Sequence, residues 1–254
     1  MKTKILGKGE PEHAVMYCVH GNEPCGKLAV DRIMHENLDF KKPVKLVFAN
    51  EKAFNEGVSH VDEDLNRAWH SSRRETHEKK LEKKIREEIE GLNVLDLHSS
   101  FSHPEAFGLN TENSSKVEDQ IGKLGLKQTA DISSVYSNQI ENVQRTAVEC
   151  GYTRTQKTIE NAYRITKNYL KSNNIISGET ESRKPDRYRI YDKVEGENWQ
   201  FIKKNFNKVK KGEKYAIRGK DELKAEEDFY PVMMSTTGYD DMIGFKAKKL
   251  EEGE

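Results

Sequence analysis

His20 and Glu23 stand three residues apart in Val19-His20-Gly21-Asn22-Glu23, where an apolar strand breaks into a tight turn. Imidazole nitrogen and carboxylate oxygen are both metal donors, and this spacing across a strand end lets the two side chains converge. A lone His-x-x-Glu arises by chance in many soluble chains. A second histidine, His98, follows the run Val94-Leu95-Asp96-Leu97 and offers a third donor. Two imidazoles and one carboxylate are the donor set of an open zinc site that keeps one position for water. Such a site brings the pKa of its water down to about 7, and the reaction then needs a base to take and return the proton. Glu149, closing the buried run Thr146-Ala147-Val148, is the candidate. Taken singly, each histidine reads as a hydrogen-bonded core residue and Glu149 as an ion-paired strand-end acid. Their shared position at strand ends argues for chemistry.

The elements that must position these groups follow from hydrophobic periodicity. Residues 13–19 read as a buried strand, and Pro24 suits the first turn of a helix through Leu28, Ile33 and Met34. Residues 44–50 form the next strand, and Asn50 opens a polar loop ending in Asp62-Glu63-Asp64-Leu65-Asn66-Arg67-Ala68-Trp69. Leu81, Ile85 and Ile89 recur every fourth residue within a charged helix over 73–90, which Gly91 can cap. Strands at 94–98, 106–109 and 146–149 alternate with helices at 114–124 and about 155–170. That order predicts a three-layer α/β/α domain with a largely parallel sheet, whose ligand crevice lies at the carboxyl ends of the strands. After Asn173 the pattern changes. A polar linker over 177–186 separates a catalytic domain, 1–176, from a smaller β-rich C-terminal domain, 187–254.

Forty-three basic residues balance forty-three acidic ones, for a formal net charge of +0. No global field points to nucleic acid or an anionic membrane, and Lys208-Val209-Lys210-Lys211 reads as a solvated turn. No run approaches the roughly 20 apolar residues that span a bilayer, and no signal-peptide stretch opens the chain. A cytoplasmic protein acting on a small molecule is expected, with its oligomeric state open, a homo-oligomer included. Cys18, Cys25 and Cys150 make no even-numbered disulfide framework. Cys18 and Cys25 flank the His20–Glu23 turn, so each reads either as a thiolate ligand or as a small buried apolar residue.

His20-Gly-Asn-Glu23, Asp64-Leu-Asn-Arg67, Asp96-Leu-His98 and Val148-Glu149-Cys-Gly151 resemble, in order and spacing, the aspartoacylase/succinylglutamate desuccinylase family, a branch of the zinc-carboxypeptidase-like hydrolases. The resemblance spans essentially the whole chain and includes Tyr230-Pro231-Val232 and Thr236-Thr-Gly-Tyr239. It implies a deacylase that cleaves an amide, or an ester, of a small carboxylate-bearing N-acyl amino acid or related amine by metal-activated water. One zinc ion per chain would be held by His20, Glu23 and His98, with Glu149 as general acid/base. Asn66 and Arg67 would bind a substrate carboxylate, which suits a planar guanidinium beside a carboxamide. Asp64 would accept the free N–H of His20 or cap the turn that follows it, and Tyr136 and Tyr239 would face the substrate.

Two departures bear on the substrate. The family pattern has a carbonyl-polarising arginine five residues before Asp64, where this chain has Ser59, followed by His60 in place of tyrosine. Tyr136 matches the family's tyrosine, but no arginine follows among Ser137, Asn138, Gln139 and Ile140. Losing two desolvated cations weakens binding of a dianion by several kcal/mol, which disfavours N-acetylaspartate and succinylglutamate. His60, Arg145 and Arg154 are the candidates to replace the missing charge. A carboxypeptidase acting on short peptides and a zinc-binding homologue without catalysis are the alternative readings.

Overall fold

The computed structural model describes residues 1–69, 75–135 and 142–251. The chain opens with β1 (Lys2–Leu6), β2 (His13–Tyr17), α1 (Cys25–Met34) and β3 (Val44–Phe48). Two short helices, α2 (Glu51–Glu56) and α3 (Leu65–Ala68), occupy the stretch expected to be loop, and α4 (His77–Ile89) leads into β4 (Asn93–Ser100). Next come β5 (Phe107–Asn110), α5 (Ser115–Lys123), β6 (Gln128–Asp131), β7 (Gln144–Tyr152) and α6 (Gln156–Ser172). The remainder is β8 (Asp186–Glu195), β9 (Gln200–Phe201), β10 (Lys214–Arg218), β11 (Asp221–Lys224), β12 (Tyr230–Val232) and β13 (Met242–Lys249).

Helix starts follow local chemistry. Asn50, Thr76, Ser114 and Thr155 each accept a backbone N–H from the first turn of α2, α4, α5 and α6 respectively, filling donors that the helix itself leaves unpaired.

Among the described residues the strands form a ten-stranded sheet in the order β1-β3-β2-β4-β7-β5-β6-β8-β13-β12 and a three-stranded sheet in the order β11-β10-β9. The large sheet is mixed rather than largely parallel. β2 runs parallel to β3 and β4, and β4 parallel to β7, but β5 lies antiparallel to β7. Only residues 101–106 join β4 to β5, too few for a parallel crossover, which takes a dozen or more. β8, β13 and β12 continue the same sheet, so the C-terminal segment shares its hydrogen bonding with the N-terminal one.

Alternation along the central strands separates two faces. Val15, Tyr17, Leu95, Leu97, Val148 and Cys150 pack toward α1, α5 and α6. Ala14, Met16 and Val94 pack toward α3 and α4 around Leu81, Ile85 and Ile89, each of which contributes about 1.5–3 kcal/mol by burial. Asp96, His98, Arg145 and Glu149 share the α4-side face with Val94, at alternate positions of β4 and β7. No helix among the described residues is long and apolar enough to cross a membrane.

Candidate metal centre and active site

β2 stops at Tyr17 because Cys18 takes a left-handed backbone (φ 55°), with its carbonyl accepting the Asn50 N–H at 2.9 Å. The turn carries Val19 and His20 across the end of the sheet. Gly21 donates its N–H to Ser59 O at 2.9 Å, and a Cβ there would lie 2.2 Å from backbone atoms of Ala53 and Phe54 in α2. Only glycine fits between His20 and this helix. His98 and Glu149 are register partners on the adjacent parallel strands β4 and β7, so their side chains leave the same face side by side.

Among the described residues, one group of three or more His, Cys, Asp or Glu brings donor atoms within metal-binding range: His20, Glu23 and His98, all within 4.8 Å of one another. His20 Nδ1 donates to Glu23 Oε1 at 2.7 Å, and His98 Nδ1 stands 3.3 Å from Glu23 Oε2. The far nitrogens are held as well. His20 Nε2 donates to Asp64 Oδ1 at 3.0 Å, and His98 Nε2 donates to Asp96 Oδ2 at 3.0 Å. A carboxylate behind each imidazole fixes the tautomer that presents Nδ1 as a donor to a cation, and the donor set fits a divalent metal such as zinc. Asp64 Oδ1 also accepts the Asn66 N–H at 2.8 Å, so one oxygen both caps α3 and orients His20.

The electrostatics match a site that favours a cation. Burial lowers the His20 pKa, but Glu23 and Asp64 outweigh it and raise it to about 10. Burial likewise opposes ionisation of Glu23, yet the two imidazoles pull its pKa to about 2. His98 is raised well above its ordinary value by Asp96 and Glu23, against burial. Glu149 goes the other way. Burial dominates, Glu23 and Asp96 add to it, the histidines oppose it, and the pKa is lifted to about 7. Its Oε2 has no hydrogen-bond partner among the described residues.

Two cavities meet here. An inner one of about 150 Å³ is lined by His20, His98, Glu149, Asn66 and Arg67, and by Leu109, Ile132, Met242 and Phe245. An outer one of about 500 Å³ is bounded by Ser59, His60, Ser99, Phe101, Thr237 and Asp240. His20, Arg67, Glu149 and Tyr239 line both. Arg67, half exposed, lies 3.9 Å from Asp64 through its Nε, and the Asn66 Nδ2 stands 3.5 Å from His20. His60 faces the outer cavity, and Arg145 is buried in the wall of the inner one. Arg154 is exposed and lines neither. Tyr136 lies outside the described residues. The three cysteines are free and buried; Cys18 and Cys25 point their sulfurs at the carbonyls of Glu23 and His98, and neither belongs to the donor group.

Two residues were given no role in the sequence reading. Asp96 entered only as part of Asp96-Leu-His98, although its position two before His98 puts both on one face of a strand. Glu78, in the first turn of α4, is fully buried. Its carboxylate accepts the backbone N–H groups of Val61, Asp62 and Glu63 at 2.7, 3.0 and 3.2 Å and the Asn50 amide at 3.0 Å. Glu78 thereby shapes the loop carrying Ser59, His60 and Asp64; in a helix this rich in Glu and Lys nothing marked it. Replacing Glu78 with Ala strands buried donors at about 1–3 kcal/mol each, so a loss of about 3 kcal/mol or more is expected in denaturant unfolding. Burial opposes ionisation of Glu78, but the loop N–H groups hold its pKa below the ordinary value. Its contribution is therefore present above the unfolded-state pKa and is lost as pH falls through the folded one.

Comparison with known proteins identifies the family and the fold. Residues 10–151, more than half of the chain, match the Succinylglutamate desuccinylase/Aspartoacylase catalytic domain family. No curated protein matches the chain. The fold resembles that of a succinylglutamate desuccinylase/aspartoacylase from Rhodobacter sphaeroides, with TM-score 0.80, 15% identity, and coverage of 98% of this chain and 89% of that one. It also resembles the product-bound ectoine utilization protein EutE (DoeB) from Ruegeria pomeroyi, with TM-score 0.78, 16% identity, and coverage of 98% and 88%. Murine aminoacylase 3 aligns with TM-score 0.71 and 16% identity over 96% of this chain and 97% of its own.

Proposed function

Because the chain belongs to the succinylglutamate desuccinylase/aspartoacylase family of deacylating hydrolases, we propose that it is a zinc-dependent amidohydrolase removing the acyl group from a small, carboxylate-bearing N-acyl amino acid or related amine. One observation carries the reading: three metal donors converge within 4.8 Å beside Glu149, a buried carboxylate with an uncommitted oxygen and a pKa of about 7.

A divalent metal held by His20, Glu23 and His98 supplies Lewis acidity toward water and the scissile carbonyl. The remaining work falls to the chain. Glu149 takes a proton from the attacking water as the new C–O bond forms, then delivers it to the amine nitrogen as the C–N bond breaks. The second proton of the water passes from the new carboxyl group to the amine, and the products are a carboxylate and an ammonium group. Arg67, at the junction of the two cavities, and Asn66, in the inner one, anchor a substrate carboxylate and orient the amide against Glu149. Asp64 and Asp96 hold the imidazoles in place. His60 and Tyr239 contact the part of the substrate that remains in the outer cavity.

Metal analysis of the purified protein, together with hydrolysis assays on N-acyl amino acids and on short peptides, tests this. About one zinc per chain with turnover of N-acyl amino acids is the expected result. Turnover of peptides alone would overturn the substrate assignment, and protein that neither retains nor takes up metal would overturn the chemistry.

A further inference from the structure

Met233 lines both the inner and the outer cavity, as His20, Arg67, Glu149 and Tyr239 do, and the proposed mechanism gives it no task. Its backbone is left-handed, with φ 53°, a conformation that glycine adopts freely and a bulky side chain rarely does. A residue of this kind persists where its surroundings over-determine it, and such residues cluster at functional sites.

The surroundings are specific. Asn205, 3% exposed, comes from residues 202–213 between β9 and β10. Its Oδ1 accepts the Met234 N–H at 2.8 Å, and its Nδ2 donates to Met234 O at 2.8 Å and to Ser102 O at 2.7 Å. One amide thus satisfies both backbone groups of the residue after Met233 and ties them to the connection between β4 and β5. Ser235 donates its N–H to Ile243 O at 2.8 Å and its Oγ to Phe101 O at 3.0 Å. From β13, Gly244 comes so close that a Cβ there would lie 2.7 Å from Met233 O. With residues 234 and 235 fixed on both sides, the bend falls on Met233. Beyond it the inner cavity is walled by Leu109, Ile132, Ala147, Met242 and Phe245, whereas the outer one is bounded by the hydroxyls of Ser59, Ser99, Ser102 and Thr237. The thioether therefore stands where an apolar chamber meets a polar one.

We propose that Met233 is a specificity-determining residue, limiting the length of the aliphatic group that the inner cavity admits, and that Asn205 is the positioning residue that keeps it at this neck. Glycine would take the same bend at no steric cost; what methionine adds is an unbranched apolar side chain. The assignment takes its choice of cavity from the proposed hydrolase reading, but binding alone reads it, so the two can fail separately.

The experiment titrates the linear monocarboxylates from acetate to octanoate by calorimetry into the protein as purified and after zinc loading. Affinity should rise about fourfold per added carbon while the chain enters apolar surroundings, pass through a maximum, and then fall. In Met233→Ala the maximum should move to a longer acid by at least one carbon. Met233→Gly should do the same while melting above Met233→Ala, because glycine carries the bend without strain. Asn205→Ala should flatten the maximum although Met233 is still present. A merely structural role lowers all affinities together and leaves the maximum where it is. Where Asn205→Ala does not fold, Asn205→Asp, which keeps the acceptor and loses both donors, is read in the same way. A wild-type series without a maximum, or one that Met233→Ala and Met233→Gly leave in place, would overturn the proposal. An unmoved, undiminished maximum in a folded Asn205 variant would remove Asn205 from its role. Protein that takes up no metal would count against the hydrolase reading, and the length series on that protein still decides the role of Met233.

Discussion

Replacing Glu149 with Gln should lower kcat by about 10²–10⁴-fold, the usual contribution of a positioned general acid/base, with the metal retained. Gln has nearly the same shape and cannot accept a proton. The substitution breaks no hydrogen bond at Oε2, which has no partner among the described residues, and Glu149 is not one of the converging donors. Stability should hold or improve. Burial, aided by Glu23 and Asp96 against the histidines, raises the Glu149 pKa to about 7. Between the unfolded value near 4.3 and about 7 the native state holds the extra proton, so the wild-type protein loses stability as pH rises through that window. A neutral Gln removes this loss. Activity runs in the opposite direction, since kcat/KM should climb as Glu149 sheds its proton. The acid limb should inflect at or below about 7, because a bound cation favours the carboxylate. Metal analysis beside steady-state kinetics of the variant decides the matter. A kcat within about tenfold of wild type, or a loss that tracks missing metal, would remove Glu149 from the role.

His20 and His98 could be read because each follows an apolar run, and runs of that kind become neighbouring strands of one sheet; Glu23 came with the turn after His20. His98 and Glu149 are register partners, the arrangement their sequence contexts implied. Gly21, legible only as part of a turn, turns out to be required because any Cβ there would strike the backbone of α2, a helix that appeared in the sequence as polar loop. The parallel strand order was over-read, since the short 101–106 connection forces β5 to run back against β7. What could not be read was burial of charge. Glu78 and Arg145 sit among many exposed Glu, Lys and Arg residues, and composition cannot say which of them the fold encloses. The walls of the inner cavity come from β5, β13 and the residues after β6, segments far apart in sequence, so its shape exists only once Met242 and Phe245 fold over Ala147 and Glu149.

Replacing His98 with Ala should abolish metal retention and bring hydrolysis to background. His98 lies between Glu23 and Asp96, and without it two donors remain, below the three that an open catalytic site uses. The loss cannot be compensated nearby. Asp96 holds the far nitrogen of His98 and is not one of the converging donors, and the cysteines are buried among backbone carbonyls. Asp96→Asn separates orientation from ligation. It keeps the size of the side chain but turns a carboxylate acceptor into a weaker one, so metal affinity should drop about 10–100-fold while the three donors stay in place. Asp64→Asn should act in the same direction on His20, and since Asn also caps helices well, α3 should persist. pH supplies an independent check. Metal must displace protons from both imidazoles, and His20 in the metal-free chain holds its proton up to about 10, against burial, through Glu23 and Asp64. Affinity should therefore rise with pH across the neutral range and fall steeply in acid. Competition with a chromophoric chelator measures all of these on one scale. Full metal retention by His98→Ala, with affinity unchanged, would place the metal elsewhere and with it the chemistry assigned to Glu149.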